Sequence, residues 1–343
     1  MSKTNTEPRK YLIVAPVWLG DLVMTQSMIK IIKKNHPDAI IDVMSKAIFF
    51  DVINAMPEVN LALETPLKRA KFNLFKFLKV TKKLKANHYT HSIVMPTSLK
   101  SSLIPCLARI KNRCGFLGEH RFFLLNDIRK RNHKKSKDSQ IKIFARLGVE
   151  KGETIPDNIE APRLKIDKLK SKQTQVIKKF NIDSKKTVFA ICPGSAGKNK
   201  IWPEEYFANI ALDMHKKGFQ IIILGASNDI EIGNKLESHL AIPYQNFIAK
   251  TSINEAMVLL SLCEKALCND SGLMHIACAM NIPLVAIFGP TPYWFAPPSG
   301  DRVKSAHLDL PCQPCRKHTC YLKHRKCLTD LKPNVVQKML EDL

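Results

Sequence analysis

The sequence lacks the motifs and segments that define several common protein classes. No Walker-type Gly-x-x-x-x-Gly-Lys-Ser/Thr occurs, and no Gly-x-Gly-x-x-Gly follows the first predicted strand, which argues against an NTPase and against a dehydrogenase. No apolar run approaches the roughly 18 residues of a membrane span. The first ten residues are polar and contain no apolar core of signal-peptide length. We therefore expect a cytoplasmic protein.

Acidic and aromatic residues are also scarce. The chain has 30 acidic against 54 basic residues, a formal net charge of +24. Such a charge suggests an anionic partner, namely nucleic acid, an acidic membrane surface or a phosphorylated substrate. Aromatic residues make up 7% of the chain and lie mostly in apolar runs, so the basic stripe with interleaved aromatics of nucleic-acid-binding proteins is missing. We expect no nucleic-acid partner and keep a basic nucleic-acid-binding protein as the alternative from a different class.

The pattern along the chain predicts two α/β domains. A chain of 343 residues exceeds the usual size of one core. In both halves buried strands alternate with helices, for example a strand over 11–16 before a helix over 22–34, which predicts parallel sheets. The charged segment 151–171, with two prolines, is typical of a linker. We predict domains over 1–170 and 171–343, with the option that the final helix, over 333–343, packs back on the N-terminal domain.

Polar turns follow several predicted strands of the second half. They are Pro193-Gly194-Ser195 with Lys198 and Lys200, the turn 225–229 with Asp229, the turn 269–272, and Gly289-Pro290-Thr291. The carboxyl ends of parallel strands share one edge of a sheet, so these turns are expected to lie together. Hydroxyls, glycine N–H groups and lysine suit a diphosphate, and an acid such as Asp229 suits ribose hydroxyls.

The turn 269–272 opens a helix and carries Asp270, Ser271 and, one turn on, His275. A helix N-terminus at such an edge favours an anion, so this pattern indicates a phosphate-bearing ligand. Simple helix capping by Asp270 or Ser271 explains either residue alone about as well, but not His275. In the other half, Asp21 follows the first strand and is suited to accept a proton from an acceptor hydroxyl. Taken alone, capping is again the commoner explanation.

Four of the ten cysteines cluster near the C-terminus. Cys312, Cys315, Cys320 and Cys327 are interspersed with His318 and His324. This spacing is typical of a structural zinc site and, less so, of an iron–sulfur cluster. Four reduced thiols without metal are an equally good interpretation. The remaining cysteines lie in apolar or mixed segments, which fits reduced core residues.

These motifs together resemble glycosyltransferase family 9, the bacterial ADP-heptose:lipopolysaccharide heptosyltransferases. The matching stretches cover almost the whole chain: 18–21, 96–101, 113–127, 193–203 and 269–275. Within the family, 113–127 and the Ser-Gly-Leu-Met-His ending are most similar to the heptosyltransferase II branch. The resemblance implies a GT-B fold, in which two Rossmann-like domains face a central cleft, with the acceptor on the N-terminal domain and the ADP-sugar on the C-terminal one.

The resemblance also implies a reaction. An inverting enzyme would move L-glycero-D-manno-heptose from ADP-heptose to the first heptose of the lipopolysaccharide inner core, on heptosyl-Kdo2-lipid A, without a catalytic metal or other required cofactor. Heptosyltransferase I, or another family 9 enzyme with a different donor or acceptor, is the alternative. Because this acceptor is a glycolipid, we expect peripheral contact with the inner face of the inner membrane. The basic amphipathic pattern over 68–85 suits that contact, although an ordinary surface helix fits it equally well.

Site roles are carried over from the family by matching position. Asp21 would be the general base, Asp270 would lie near the transferred sugar, and Asp229 would bind ribose. Lys198 follows a shortened run and could share or take over the role of Lys200. The residues expected to hold the ADP phosphates are Ser195, Lys200, Ser271, Gly272 and His275. The basic residues expected to bind acidic groups of the acceptor are Lys100, Arg113 and Arg121.

Overall fold

The computed structural model describes residues 8–67, 73–131 and 137–343, apart from the side chains of 168–170. The strands are β1 (Lys10–Val14), β2 (Ile40–Ser45), β3 (Leu61–Glu64), β4 (His91–Val94), β5 (Asn112–Phe116), β6 (Asp127–Arg129), β7 (Val188–Cys192), β8 (Gln220–Ile223), β9 (Tyr244–Asn246), β10 (Cys263–Asn269), β11 (Leu284–Ile287) and β12 (Val303–Ala306). The α-helices are α1 (Leu19–Asn35), α2 (Phe50–Asn54), α3 (Leu74–Ala86), α4 (Leu99–Leu107), α5 (Gln140–Ala145), α6 (Asp167–Phe180), α7 (Glu204–Lys216), α8 (Ile230–Glu237), α9 (Ile253–Ser261), α10 (Gly272–Ala279), α11 (Lys326–Thr329) and α12 (Pro333–Glu341).

The strands form two parallel sheets with the same topology. The first has the order β3-β2-β1-β4-β5-β6, and the second has the order β12-β11-β10-β7-β8-β9. Counted within each sheet, both orders are 3-2-1-4-5-6, the doubly wound order of Rossmann-like folds. The strand order reverses between β1 and β4 and between β7 and β10, and ligands bind beyond the carboxyl ends of the strands at such points. The predicted α/β class is confirmed.

The first unit ends at Glu160 and is built around β1. Leu12, Ile13 and Val14 are almost fully buried between β2 and β4, as their continuous apolar run predicts. Helix α1 begins at Leu19, three residues before the predicted start, and ends just before His36 and Pro37, a proline that cannot continue it. The early start places Asp21 inside the first turn of α1.

The second unit spans Ala161–Leu343 around β7, β10 and β11. Trp202 is fully buried in its core, and the indole N–H donates to the carbonyl of Leu331 at 2.9 Å. The final helix α12 lies in this unit, where Val336 and Leu340 join the same core. The sequence left open that this helix packs on the N-terminal domain. In the structure, its buried residues pack in the second unit.

The boundary between the units lies ten residues before the predicted position of 170/171. The backbone N–H of Leu164 donates to the carbonyl of Ala279 at 2.8 Å, and α6 packs against α9 of the second unit. The amide of Gln173 also donates to the hydroxyl of Ser261. Residues 161–171 of the predicted linker therefore belong to the second unit, and residues 151–160 belong to the first.

The predicted basic helix corresponds to α3, and Lys68, Lys71 and Phe72 of that prediction lie outside the described residues. One face of α3 is buried through Phe77 and Leu84. Leu74, Phe75 and Leu78 are exposed instead. Among the helices that the structure describes, none is long and apolar enough to cross a membrane.

Candidate functional site

The strand-order reversal of the second sheet brings two polar connections together. Asn269, the last residue of β10, is fully buried, and its amide donates to the carbonyl of Pro193 at 2.6 Å. The amide oxygen accepts from the backbone N–H of Trp202 at 3.3 Å. Asn269 thus joins the connection after β10 to the one after β7. The sequence alone predicted no separate role for Asn269. A polar residue at the end of a buried strand is the signal that could have indicated one.

Three connections converge on Asp270, whose side chain is largely buried. Its Oδ2 accepts from Lys200 Nζ at 2.7 Å and from the hydroxyl of Thr291 at 2.7 Å. The hydroxyl of Ser195 donates to its backbone carbonyl at 2.8 Å. The turns after β7, β10 and β11 therefore meet, as the shared sheet edge predicts. Thr291 lies on a turn that the sequence analysis noted, but its contact with Asp270 was not foreseen.

The ion pair leaves a cation within reach of solvent. The Lys200 side chain is 29% exposed, whereas that of Asp270 is 10% exposed. A buried carboxylate needs such a partner, because desolvation of an unpaired charge is costly. Lys200 can therefore neutralise Asp270 and still meet an anionic ligand from the solvent side.

Helix α10 begins at this cluster with its first turn uncapped by any side chain. Ser271 is the N-cap residue, but its hydroxyl makes no capping bond. Its Oγ is buried and has no hydrogen-bond partner among the described residues. The Asp270 carboxylate is engaged by Lys200 and Thr291 instead. The alternative in which either residue merely caps the helix is therefore not what the structure contains. Ser271 and the N–H groups that begin at Gly272 are donor groups at a helix N-terminus, an arrangement whose chemistry suits an anion.

His275 lies one turn into α10 and is buried. Burial lowers the pKa of its imidazole to about 4, which outweighs the opposite effect of Asp270, and Lys200 adds to the lowering. The ring is therefore neutral near pH 7. A neutral imidazole adds a hydrogen-bonding group beside the helix N-terminus without a charge.

Asp229 lies at the start of α8, next to the end of β7. Its carboxylate lies against Gly194 so closely that a Cβ at position 194 would be 2.1 Å from Asp229 Cγ. Its Oδ2 accepts from the N–H of Ala226 at 2.8 Å, and burial raises the pKa of the carboxyl. The close approach explains the glycine in Pro193-Gly194-Ser195. The structure brings Asp229 to the same sheet edge as Ser195.

Lys198 does not join the Asp270 cluster. Its Nζ lies 2.8 Å from Glu231 Oε2, on the first turn of α8. Its side chain is 86% exposed. The ion pair with Glu231, which the sequence analysis did not consider, holds Lys198 away from Asp270. Of the two lysines, only Lys200 contacts the cluster.

In the first unit, Asp21 and Lys100 lie on the helices that follow the two strands at the order reversal. Asp21 is in the first turn of α1, after β1, and its backbone carbonyl accepts from the hydroxyl of Thr25 at 2.8 Å. Trp18, not Asp21, occupies the N-cap position of α1. Lys100 is exposed in the first turn of α4, after β4. Both residues are thus at the carboxyl edge of the first sheet.

Arg113 and Arg121 both donate to backbone carbonyls of the first unit. The guanidinium of Arg113 donates to the carbonyls of Leu124 and Ile110, each at 2.7 Å. That of Arg121 is fully buried and donates to the carbonyl of Pro96 at 2.6 Å and to that of Phe116. Burial lowers the pKa of Arg121 to about 10. These two arginines tie connections of the first sheet together. Arg121 has no exposed surface for an acceptor, whereas acceptor binding by the half-buried Arg113 stays a prediction.

The four C-terminal cysteines lie near one another, since burial raises the pKa of the Cys327 thiol and Cys312, Cys315 and Cys320 each help to raise it further. Cys312, Cys315 and Cys320 are half-buried and Cys327 is buried. Within the described part of the chain, no group of three or more His, Cys, Asp or Glu side chains is placed to hold a metal ion. Zinc binding by these four cysteines stays a prediction, and no step of the chemistry proposed below uses a metal.

The chain is similar over nearly its whole length to known enzymes. The family profile described as Glycosyltransferase family 9 (heptosyltransferase) matches residues 77–326. Lipopolysaccharide heptosyltransferase 2 of Escherichia coli K12 is 31% identical, with 97% of each chain covered. Lipooligosaccharide heptosyltransferase 2 of Haemophilus influenzae is 33% identical, with 97% of this chain and 98% of the relative covered.

A solved structure gives the same result for the fold. The E. coli ADP-heptose lps heptosyltransferase II superposes with a TM-score of 0.85 at 29% identity, covering 97% of this chain and 98% of the other. This likeness, with the two doubly wound sheets, confirms the predicted GT-B fold of two Rossmann-like domains.

Proposed function

Because the chain belongs to glycosyltransferase family 9, we propose that it acts as a heptosyltransferase II, moving L-glycero-D-manno-heptose from ADP-heptose to the first heptose of the lipopolysaccharide inner core. The names of the full-length relatives state heptosyl transfer for lipopolysaccharide, and that of the solved structure includes ADP-heptose. The observation that carries the site assignment is the convergence of Ser195, Lys200 and Thr291 on Asp270 beside the uncapped start of α10.

The second unit binds the ADP part of the donor in this proposal. The diphosphate accepts hydrogen bonds from Lys200, from the orphan hydroxyl of Ser271 and from the N–H groups that begin at Gly272. These groups suit an anion because a helix N-terminus has free donors and the positive end of the helix dipole. Asp229 accepts from ribose hydroxyls. His275, neutral near pH 7, adds a hydrogen bond without competing with Lys200 for charge.

The same contacts assist departure of the ADP. Glycosyl transfer passes through an oxocarbenium-like state while negative charge grows on the leaving diphosphate. Donors that are already aimed at that charge stabilise the transition state more than the ground state. Asp270 is held by Lys200 and Thr291. In this proposal its carboxylate lies near the transferred sugar and stabilises the positive charge that develops on the anomeric carbon.

The first unit supplies the base. Asp21 removes the proton from the attacking hydroxyl of the acceptor heptose, and the hydroxyl oxygen forms the new bond on the face opposite the departing ADP. Direct displacement inverts the anomeric centre. A positioned carboxylate typically contributes about 10²- to 10⁴-fold in such proton transfer. Lys100, exposed after β4, is positioned to meet an acidic group of the acceptor.

We further propose that the acceptor is heptosyl-Kdo2-lipid A and that the protein works at the inner face of the inner membrane. The net charge of +24 supports contact with an anionic glycolipid surface. No cofactor beyond the donor substrate is required in this proposal.

A structural zinc ion at Cys312, Cys315, Cys320 and Cys327 stays a prediction from their spacing. Elemental analysis of protein purified without chelator tests it directly. About one zinc per chain would support a site that assembles around the ion. Zinc at background level, with all four thiols reactive toward a thiol reagent, would support reduced cysteines instead.

The transfer assay tests the function. Purified protein is incubated with ADP-heptose and either a core acceptor that carries one heptose or a matched acceptor without heptose, while ADP release and acceptor mass are followed. The proposal expects a gain of one heptose on the first acceptor alone. Transfer to the heptose-free acceptor would indicate heptosyltransferase I. Transfer to neither would contradict the donor and acceptor assignment.

A further inference from the structure

The carboxyl edge of the first sheet displays large apolar side chains to solvent. We call these residues the apolar rim: Trp18, Ile48, Phe75, Leu117, Phe122 and Phe123. Their exposure ranges from 54% for Leu117 to 88% for Phe75. Each lies on a connection that follows β1, β2, β3 or β5. Exposed aromatics concentrated at one sheet edge mark an interaction surface, because scattered single residues are the norm elsewhere.

Two rim residues are held in place by Arg121. Its buried guanidinium donates to the carbonyls of Phe116, at the end of β5, and Pro96, just beyond β4. Phe122 and Phe123 directly follow it and are 61% and 64% exposed, with their rings in an edge-to-face contact. A fully buried arginine thus fixes a turn whose next two residues are aromatic and point away from the core. Arg121 is a positioning residue for this part of the rim.

The rim continues at the start of α3. Lys76 Nζ lies 3.2 Å from Glu64 Oε1 at the end of β3, which places the first turn of α3 beside the carboxyl end of that strand. Phe77 and Leu84 bury one face of the helix, whereas Phe75 lies on the exposed side. An amphipathic surface helix is expected to turn such a residue inward, so the exposure of Phe75 needs another explanation.

Basic residues accompany the rim. Helix α3 contains no acidic residue, and its exposed lysines include Lys79, Lys82 and Lys83. Lys46 and Lys100 lie on the connections after β2 and β4 and are exposed as well. Acidic side chains also lie on this edge. Glu119 accepts from the N–H of Leu99 at 2.6 Å, Glu64 pairs with Lys76, and Asp21 lies in the first turn of α1. Exposed aromatics with surrounding lysines are the chemistry that anionic lipid surfaces attract.

We propose that the apolar rim docks on the surface of an anionic phospholipid bilayer and so presents the carboxyl edge of the first sheet to a lipid-linked acceptor. This inference rests on the proposed function only for the nature of the acceptor. The rim side chains enter the region between headgroups and acyl chains, and the lysines pair with lipid phosphates. The charge complementarity favours lipid over a second copy of this chain, which carries the same positive charge.

The test is co-sedimentation of the full chain with vesicles of phosphatidylcholine alone or mixed equally with phosphatidylglycerol. The rim variant Phe75→Ser/Phe122→Ser/Phe123→Ser is compared with Leu212→Ser/Tyr321→Ser/Leu322→Ser, a matched set of exposed apolar residues of the second unit. We expect wild type and the control variant to bind mixed vesicles, and the rim variant to bind about tenfold or more weakly. Raising the salt from about 0.1 M to about 1 M should weaken binding further by screening the lysines.

A second readout does not depend on the rim variant. The chain has three tryptophans: Trp18 lies on the rim, Trp202 is fully buried in the second unit, and Trp294 is half-buried in the second unit. Brominated lipids quench only indoles that enter the bilayer, so they should quench wild-type fluorescence and leave the fluorescence of Trp18→Phe nearly unchanged.

The outcomes separate the two proposals. The docking proposal is overturned if wild type does not bind anionic vesicles, or if the rim variant binds them as well as wild type. It is also overturned if sedimentation velocity shows that wild type is a dimer and the rim variant a monomer. Transfer of heptose to an acceptor without acyl chains should be equal in wild type and the rim variant. Failure of that transfer in wild type would contradict the proposed function. The vesicle result would still test whether the apolar rim docks on a membrane.

Discussion

The two units share one strand order but carry opposite chemistry at the same edge. At the order reversal of the second sheet, Ser195, Lys200 and Thr291 converge on a buried carboxylate at the start of α10. At the corresponding edge of the first sheet, Trp18, Phe75 and Phe122 are exposed to solvent. The second edge is polar, partly buried and internally paired, whereas the first edge exposes large apolar side chains among charged residues such as Asp21 and Lys100.

The strand order and the side chains have separate effects on what each edge can bind. The doubly wound order supplies a ligand-binding edge in both sheets. The residues on the connections then select the ligand, because function lies in the site and not in the fold. In our proposals, polar donors at a helix start select a diphosphate, and exposed aromatics beside lysines select a lipid surface.

The largest expected effect comes from removing the base on the first sheet. Asp21→Asn keeps the size of the side chain but removes its ability to accept a proton near neutral pH. We expect the rate of heptosyl transfer to fall by about 10²- to 10⁴-fold. Transfer is measured by acceptor mass with donor in excess.

This variant also sharpens the comparison between the edges. If Asp21 acts only on the acceptor, the affinity for ADP, measured by titration calorimetry, should equal that of wild type. A variant that transfers heptose at the wild-type rate would remove Asp21 from the mechanism. A large loss of ADP affinity would instead place Asp21 in donor binding.

The next largest effect is a loss in the free energy of unfolding of the second unit as the pH falls below neutral. His275 has a folded pKa of about 4, below its unfolded value, so the unfolded chain binds the extra proton first. The stabilisation is fully present above about pH 6.5 and is lost as the pH falls toward 4. We expect about 2 kcal/mol of stability to be lost between pH 7 and pH 5 for this reason.

Urea unfolding of wild type and His275→Gln at both pH values measures this loss. The variant lacks the titrating ring, so its stability should fall less than that of wild type over the same interval. Equal losses in the two proteins would show that His275 is not held neutral by burial.

A smaller effect is expected at Ser271. Its buried hydroxyl has no partner among the described residues, so Ser271→Ala breaks no hydrogen bond in the free protein. We expect the free energy of unfolding to stay within about 0.5 kcal/mol of wild type. The affinity for ADP should fall about five- to tenfold, the net value of one hydrogen bond. A clear loss of stability without loss of ADP affinity would make Ser271 a structural residue.

Much of the fold could be predicted from the sequence because its central strands are continuous apolar runs. β1, β7 and β11 lie where the pattern places them, and the polar turns after β7 and β10 follow from the same signal. The edge strands β6 and β9 are short and only partly buried, so they leave little pattern to read. The sequence does not reveal that the two sheets share one strand order. Many different apolar side chains can pack in a buried strand, so the two halves need not be similar in sequence.

The site was harder to predict where a side chain depends on a partner distant in sequence. The pairing of Lys198 with Glu231 and the burial of Arg121 both come from contacts that the local sequence does not encode. An exposed lysine such as Lys198 and a half-buried one such as Lys200 look alike in the sequence. The convergence on Asp270 was accessible because it needs only the rule that parallel strands end at a common edge.

The central claim is that Lys200 at the polar edge holds the diphosphate of the donor. Titration calorimetry with ADP on wild type, Lys200→Met, Lys200→Arg and Lys198→Met tests it most directly, since the two lysines are two residues apart but have different partners. We predict an affinity about 10- to 100-fold weaker for Lys200→Met, the value of a charged hydrogen bond. Lys200→Arg should retain most of the affinity, and Lys198→Met should match wild type. A loss of affinity in Lys198→Met, with Lys200→Met binding ADP like wild type, would contradict the account.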